Sequence, residues 1–192
     1  MKNKIYALAS AIVVAIAIIV ACVSINAPTG RALYFCNNHP MSEHIDIDVK
    51  NDNNDDVYNI TNVFFDYTDT LVLDDCNGNA LREMDTDYNF VSQNDHVILN
   101  GNGMLYSCED DTGNDGPKKV FNNHKEQVGI IEYNRNRTKL KLKNLDGLVV
   151  AECNSSLLRT DYAVTIFEQC EFDDESVIMM FSSYMKCIVN VA

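Results

Sequence analysis

Apolar positions along the chain follow three different patterns, and each marks a different kind of element. The first is unbroken: Ile5 to Ile25 is 21 consecutive residues without a charge, and Lys2 and Lys4 lie just before it. A run of that length crosses a hydrocarbon core of about 30 Å as one helix. The two lysines favour a cytoplasmic N-terminus, with the remaining chain translocated. The expected organisation is therefore a cytoplasmic N-terminus (1–4), a transmembrane signal-anchor (5–25), a linker with the first strands (26–56) and a β-rich ectodomain ending in a helix (57–192). Two alternatives keep the same sidedness. A cleaved secretory signal usually has a shorter apolar stretch, and Ala21, Ser24 and Ala27 give only mediocre cleavage sites. Ile19-Val20-Ala21-Cys22 also resembles a bacterial lipobox, whose cysteine would be acylated.

The second pattern is alternation. Ile45, Ile47 and Val49 alternate with Asp46, Asp48 and Lys50, the period of a half-buried strand. The polar run Asn51 to Asp56 interrupts it, and Val57 to Tyr67 is then rich in β-branched and aromatic residues. Leu71 to Leu73 leads through the turn Cys76 to Asn79 into Leu81 to Met84. Val97 to Leu99 leads through Asn100 to Gly103 into Met104 to Tyr106. Val128 to Tyr133, Asn134 to Asn136 and Thr138 to Lys143 repeat the arrangement, and Asn144 to Gly147 joins that strand to Leu148 to Ala151. Asn-Gly and Asp-Gly allow the positive φ angles that tight hairpins need. Four hairpins in sequence predict a mainly β fold, an antiparallel meander that is closed or nearly closed.

The third pattern is helical. Val177, Ile178, Met180, Phe181, Tyr184, Met185 and Ile188 fall on one stripe, with Asp173 and Asp174 placed to cap its start. The stretch is too short for a second membrane span and contains Ser182, Ser183 and Lys186. A largely buried helix, packed inside or against the sheet, is expected.

Charge narrows the class of partner. The whole chain carries −13; Lys2 and Lys4 precede the anchor and the first acid is Glu43, so the part beyond the anchor carries −15. Such a surface repels phosphate backbones and excludes nucleic acid, while suiting solubility or a basic partner patch. Asparagine clusters such as Asn51 to Asn54 fit the coding bias of an AT-rich genome, such as that of a protist or a large insect virus. Six cysteines follow the anchor, at Cys36, Cys76, Cys108, Cys153, Cys170 and Cys187, while Cys22 sits inside it. An even count in an oxidising compartment predicts disulfides, with buried unpaired thiols as the alternative. The spacings contain no compact zinc pattern.

The segments Thr70 to Leu81, Val128 to Tyr133 and Asp161 to Tyr184, with the strand Asp161-Tyr-Ala-Val-Thr-Ile166, together resemble the tubby-like superfamily, especially LURP-one-related proteins. The resemblance spans roughly residues 57–188 and rests on pattern. It implies a closed barrel around a hydrophobic C-terminal helix, and a lipid-binding or scramblase-like activity. Family members mostly lack this anchor and this set of cysteines.

Candidate chemistry is sparse. Arg135, Arg137, Lys139, Lys141 and Lys143 place five cations at every second position, so a strand would project them from one face with Leu140 and Leu142 on the other. They suit an acidic ligand, or equally a solvated face that offsets nearby carboxylates and protects an edge. Asp52 to Asp56 and Asp111 to Gly116 miss the EF-hand pattern, and His39-Pro-Met-Ser-Glu-His44 lacks zincin spacing, so no metal site is expected. There is no GxSxG, Walker loop or full GxGxxG, which argues for a non-enzymatic protein without a cofactor. Asn59, Asn136 and Asn154 begin glycosylation acceptor triplets. Together these features point to a membrane-anchored, disulfide-stabilised ectodomain for protein binding or assembly in a cell or viral envelope. One specific form is an attachment or entry component of a large insect DNA virus. The alternative is the lipid-active protein that the family resemblance implies.

Overall fold

The computed structural model describes residues 29–38, 46–65, 68–89, 92–101, 103–110, 117–136, 138–156 and 161–186. Twelve strands form one closed antiparallel barrel. They are β1 (Gly30–Asn38), β2 (Asp46–Asn51), β3 (Asp56–Phe65), β4 (Thr68–Asp75), β5 (Ala80–Asn89), β6 (Ser92–Asn100), β7 (Gly103–Asp110), β8 (Lys118–Asn122), β9 (Gln127–Tyr133), β10 (Lys139–Lys143), β11 (Val149–Ser155) and β12 (Asp161–Phe167). Each strand pairs with its neighbours in sequence, and β1 closes the barrel on β12 through pairs such as Phe35 with Ala163 and Cys36 with Tyr162. Closure leaves no open sheet edge for another chain to extend. β1 and β2 belong to the same body as the later strands.

Alternation sets which face is inside. Ile47 and Val49, Leu71 and Leu73, and Leu140 and Leu142 are all at most 1 % exposed, and the residues between them, Asp48, Val72 and Lys141, point outward. Burying each such aliphatic side chain contributes roughly 1.5–3 kcal/mol. The helix, α1 (Asp174–Lys186), occupies the interior. Ser176, Val177, Ile178, Met179, Met180, Phe181, Ser182, Ser183, Tyr184 and Met185 are all buried, so the polar side of the helix is enclosed along with its apolar stripe. A helix on the outside of a sheet would bury one side only. The described helix ends at Lys186; Ile188, expected in the stripe, lies outside the described residues.

Because the strands alternate in direction, the barrel has two distinct ends. The turns after β2, β4, β6, β8 and β10 and the segment leading from β12 into α1 lie at one end, here called the mouth. Four mouth turns use the same device. In each, a first residue (Asn51, Asp75, Asn122 or Asn144) accepts through its side chain from the N–H four residues later, at 2.9, 2.9, 3.0 and 2.9 Å. Its backbone carbonyl accepts from the N–H of Asn54, Gly78, Lys125 or Gly147, each of which has a positive φ between 61° and 79°. Each turn sits beside a shift in strand register, the geometry of a hairpin with a one-residue bulge.

The disulfide expectation needs correction. No disulfide joins any of the described cysteines Cys36, Cys76, Cys108, Cys153 and Cys170. Cys36 on β1 and Cys153 on β11 are separated by the whole of β12, and two strand spacings amount to about 9.5 Å. A disulfide needs Cα atoms within about 6.8 Å. Cys108 lies on β7, Cys170 lies in the segment before the helix, and Cys76 is exposed in the β4–β5 turn. Cys187 and the apolar run at residues 5–25 lie outside the described residues. Among the described residues, no helix is long and apolar enough to cross a membrane.

Candidate functional site

The barrel interior is packed, and some of its polar groups are hydrogen-bonded within it. Tyr162 and Ser182 share a hydrogen bond of 2.7 Å, Ser182 Oγ donates to the Ile178 carbonyl at 2.8 Å, and Ser183 Oγ donates to the Met180 carbonyl at 2.8 Å. Burial pushes the Cys36 thiol up to about 12 and raises Cys153 as well. Both stay protonated near neutral pH and are poor nucleophiles.

At the mouth, the start of α1 is tied to the barrel wall. Asp173 caps the helix by accepting from the Ser176 N–H at 2.9 Å, and the same oxygen accepts from Arg82 Nη2 at 3.0 Å. Asp174 pairs with Arg31 and accepts from the Tyr34 hydroxyl at 2.8 Å, while Glu175 accepts from the Tyr58 hydroxyl at 3.2 Å. Arg31 also donates to the carbonyls of Cys170 at 2.8 Å and Phe172 at 3.3 Å. Burial first, and the Glu175 carboxylate second, push the Tyr58 hydroxyl up to about 12; burial and then Asp174 raise Tyr34 in the same way. Each acid here meets a cation or a hydroxyl, and the helix dipole favours the acids at this end. The cluster holds the helix in the barrel and leaves no charge over for a ligand.

Beside that cluster a groove of about 490 Å³ opens on the mouth. The Phe172 ring packs against Tyr106 with centroids 5.2 Å apart, and Val128 and Val150 complete the apolar part of the lining. Phe172 fits closely because Gly129 is bare: a Cβ there would meet the Lys143 carbonyl oxygen at 2.8 Å and Phe172 at 3.3 Å. Asp146 and Glu171 are the charged lining residues, and Leu145 forms the lip with 65 % of its surface exposed. Among the described residues the lining contains no histidine, lysine, cysteine or serine.

The cation row is partly assembled. Lys139 and Lys141 are exposed on the outer face of β10, and Lys143 is paired with Glu132 at 2.7 Å. Lys141 also lies level with Glu132 on β9 and Glu152 on β11, so carboxylates flank the row on both sides. Arg135 is exposed in the β9–β10 turn, at the end opposite the mouth, and Arg137 lies outside the described residues. The opposite wall, β2 to β5, carries Asp46, Asp48, Asp74, Glu83 and Asp85 on its outer face, with Asn59 Nδ2 donating to Asp46 at 2.9 Å. That pairing ties down Asn59, a glycosylation candidate, within β3; Asn136 and Asn154 are exposed. Among the described residues, no group of three or more His, Cys, Asp or Glu side chains is arranged to hold a metal ion.

Comparison with known proteins bears on the fold. No protein-family model matches the chain, and no curated protein matches its sequence significantly. The chain is similar to an X-ray structure of a protein from Arabidopsis thaliana, with a TM-score of 0.60 over 84% of this chain and 93% of that one. Sequence identity is 12%, so the likeness concerns architecture alone.

Proposed function

We propose that the chain is a non-enzymatic, membrane-tethered binding module, held by residues 5–25 and presenting its barrel outside the cytoplasm to a protein partner in a cell or viral envelope. One observation carries this reading: α1 is buried on every side within the barrel, so a partner meets the outer surface and the mouth. The charge on that surface is divided. The β2–β5 wall is acidic, and the lysines of β10 on the opposite wall are already flanked by Glu132 and Glu152. A partner with a basic patch therefore fits the β2–β5 wall better than an acidic partner fits the lysine row. Unlike the expectation from cysteine count, this reading does not rest on disulfides among the described cysteines.

The test is affinity purification of the full chain from native membranes, comparing the unaltered protein with Asp46→Lys/Asp74→Lys and with Lys139→Glu/Lys141→Glu. Loss of a co-purifying protein on the first reversal, and its retention on the second, supports the proposal. Retention on the first and loss on the second would place the contact on the lysine wall instead.

The second reading is a lipid-active protein of tubby-like type. Its support is the barrel enclosing a C-terminal helix, the architecture that the sequence resemblance implies. The two readings differ in sidedness, since binding an inner-leaflet head group requires the barrel in the cytoplasm.

A further inference from the structure

The direction of β1 fixes the end of the barrel at which the chain enters it. β1 begins at the mouth, where Gly30 lies opposite Phe167 and the Glu168 N–H donates to the Thr29 carbonyl at 3.0 Å. Chain before Gly30 therefore arrives at the same end as the start of α1. From Ile25 to Gly30 is five residues, a reach of at most about 18 Å.

That end also carries two of the three large exposed hydrophobic side chains among the described residues, Leu145 at 65 % and Leu148 at 46 %. Both belong to one turn, fixed by Asn144: its side chain accepts from the Leu148 N–H at 2.9 Å and its carbonyl accepts from Gly147 at 3.0 Å. Gly147 holds φ at 78°, a conformation that keeps the turn tight and its leucines on the outside. Among the described residues no side chain covers either leucine fully.

We infer that the mouth is the membrane-contacting end of the barrel, with Leu145 and Leu148 dipping into the boundary between head groups and acyl chains. This rests on the reading of residues 5–25 as a membrane anchor. Charge then selects the lipid. Asp146 and Glu171 line the groove behind the leucines, and neither is in an ion pair among the described residues. Asp52, Asp55, Asp75, Glu126 and Glu168 lie on neighbouring turns or segments of the same end, against Lys125, while Lys50 and Lys143 at this end are paired with Asp56 and Glu132. Arg31 and Arg82 are held by Asp174 and Asp173. An acidic rim is repelled by an anionic leaflet and tolerated by a zwitterionic one. The surface it fits is a phosphatidylcholine bilayer, which also accords with a barrel on the non-cytoplasmic side.

The chain contains no tryptophan, so one introduced indole reports its own surroundings. Full-length Leu145→Trp and Arg135→Trp proteins, the second marking the far end, are reconstituted in phosphatidylcholine vesicles with and without brominated phosphatidylcholine. Flotation with the vesicles tests the anchor separately: a chain that stays at the bottom of the gradient defeats the anchor reading, and this inference with it. In floating protein, Leu145→Trp emission should shift to the blue and lose intensity with brominated lipid, while Arg135→Trp emission should not. Substituting phosphatidylserine for part of the unbrominated lipid should weaken the quenching of Leu145→Trp. Equal quenching of the two, quenching of Arg135→Trp alone, or stronger quenching with phosphatidylserine would overturn the assignment.

Discussion

Tyr162 on β12 and Ser182 on α1 meet in the barrel interior, with their hydroxyl oxygens 2.7 Å apart. Ser182 already donates its proton to the Ile178 carbonyl at 2.8 Å, so Tyr162 is the donor and Ser182 the acceptor. The pair is a polar contact between wall and helix in a core that is otherwise mostly apolar. A serine facing water would serve equally well as alanine; a serine that satisfies a buried tyrosine does not.

Removing Ser182 takes away the oxygen acceptor of the buried Tyr162 hydroxyl and leaves it only the weaker Cys36 sulfur. Ser182→Ala should therefore destabilise the protein by about 1–3 kcal/mol, and Tyr162→Phe by about 1 kcal/mol. In the double variant Tyr162→Phe/Ser182→Ala the losses should sum to less than the two singles together. Denaturant unfolding of the four proteins closes the cycle, and strict additivity would mean the two hydroxyls do not interact.

Phe181 is fully buried among the strands. Phe181→Ala should cost about 3–5 kcal/mol through lost burial and the cavity left behind. Urea titration gives the figure directly. An unchanged midpoint would place the helix outside the barrel.

The thiols should divide by position. Cys76 is exposed in a turn, whereas Cys36 and Cys153 are buried with their pKa values raised. Brief treatment of the folded protein with iodoacetamide should modify Cys76 and spare Cys36 and Cys153, as read by peptide mass mapping. Rapid modification of Cys36 in native protein would contradict the packing around Tyr162.

Alkaline pH should loosen the helix at its start. Burial first and then Glu175 oppose ionisation of the Tyr58 hydroxyl and push it up to about 12 from an ordinary value near 10. A folded-state pKa above the unfolded value gives a contribution that is complete below pH about 10 and lost as pH rises toward about 12. Thermal midpoints should fall across that window, and Tyr58→Phe should flatten the fall. A Tyr58→Phe profile as steep as that of the unaltered protein would remove this hydroxyl as the cause.

Much of the barrel was legible in the alternation. The pairs Ile47 and Val49, and Leu140 and Leu142, separated inside from outside, and Gly78, Gly103 and Gly147 marked hairpins where positive φ occurs. The remaining strands were obscured for specific reasons. β1 has apolar residues on both faces, with Phe35 45 % exposed on the outside, so its period disappears. β8 carries Lys118 at an inward position, 3 % exposed with its Nζ 5.5 Å from the Tyr184 ring centroid, where a sequence pattern expects an aliphatic. The turns at 51–55 and 122–126 place Asn54 and Lys125 at positive φ and rely on Asn51 and Asn122 side chains in place of glycine. The helix showed its stripe, but the burial of Ser176, Ser182 and Ser183 follows only from closure of the barrel around it. The mouth groove was not visible at all, because β7, β8, β9, the turn after β10, β11 and residues 169–172 supply its lining from distant parts of the chain. Cysteine count misled because the described cysteines are dispersed around the barrel, and counting carries no positions.

The account turns on a barrel held at a membrane on its non-cytoplasmic side. The direct measurement is labelling of an Arg135→Cys variant, placed in the exposed far-end turn, with a membrane-impermeant maleimide on intact cells or sealed particles and again after permeabilisation. A Cys76→Ser background removes the exposed native thiol in the β4–β5 turn. Labelling of intact material to nearly the level reached after permeabilisation is the predicted result. Labelling that appears once the plasma membrane alone is permeabilised would put the barrel in the cytoplasm and contradict the account.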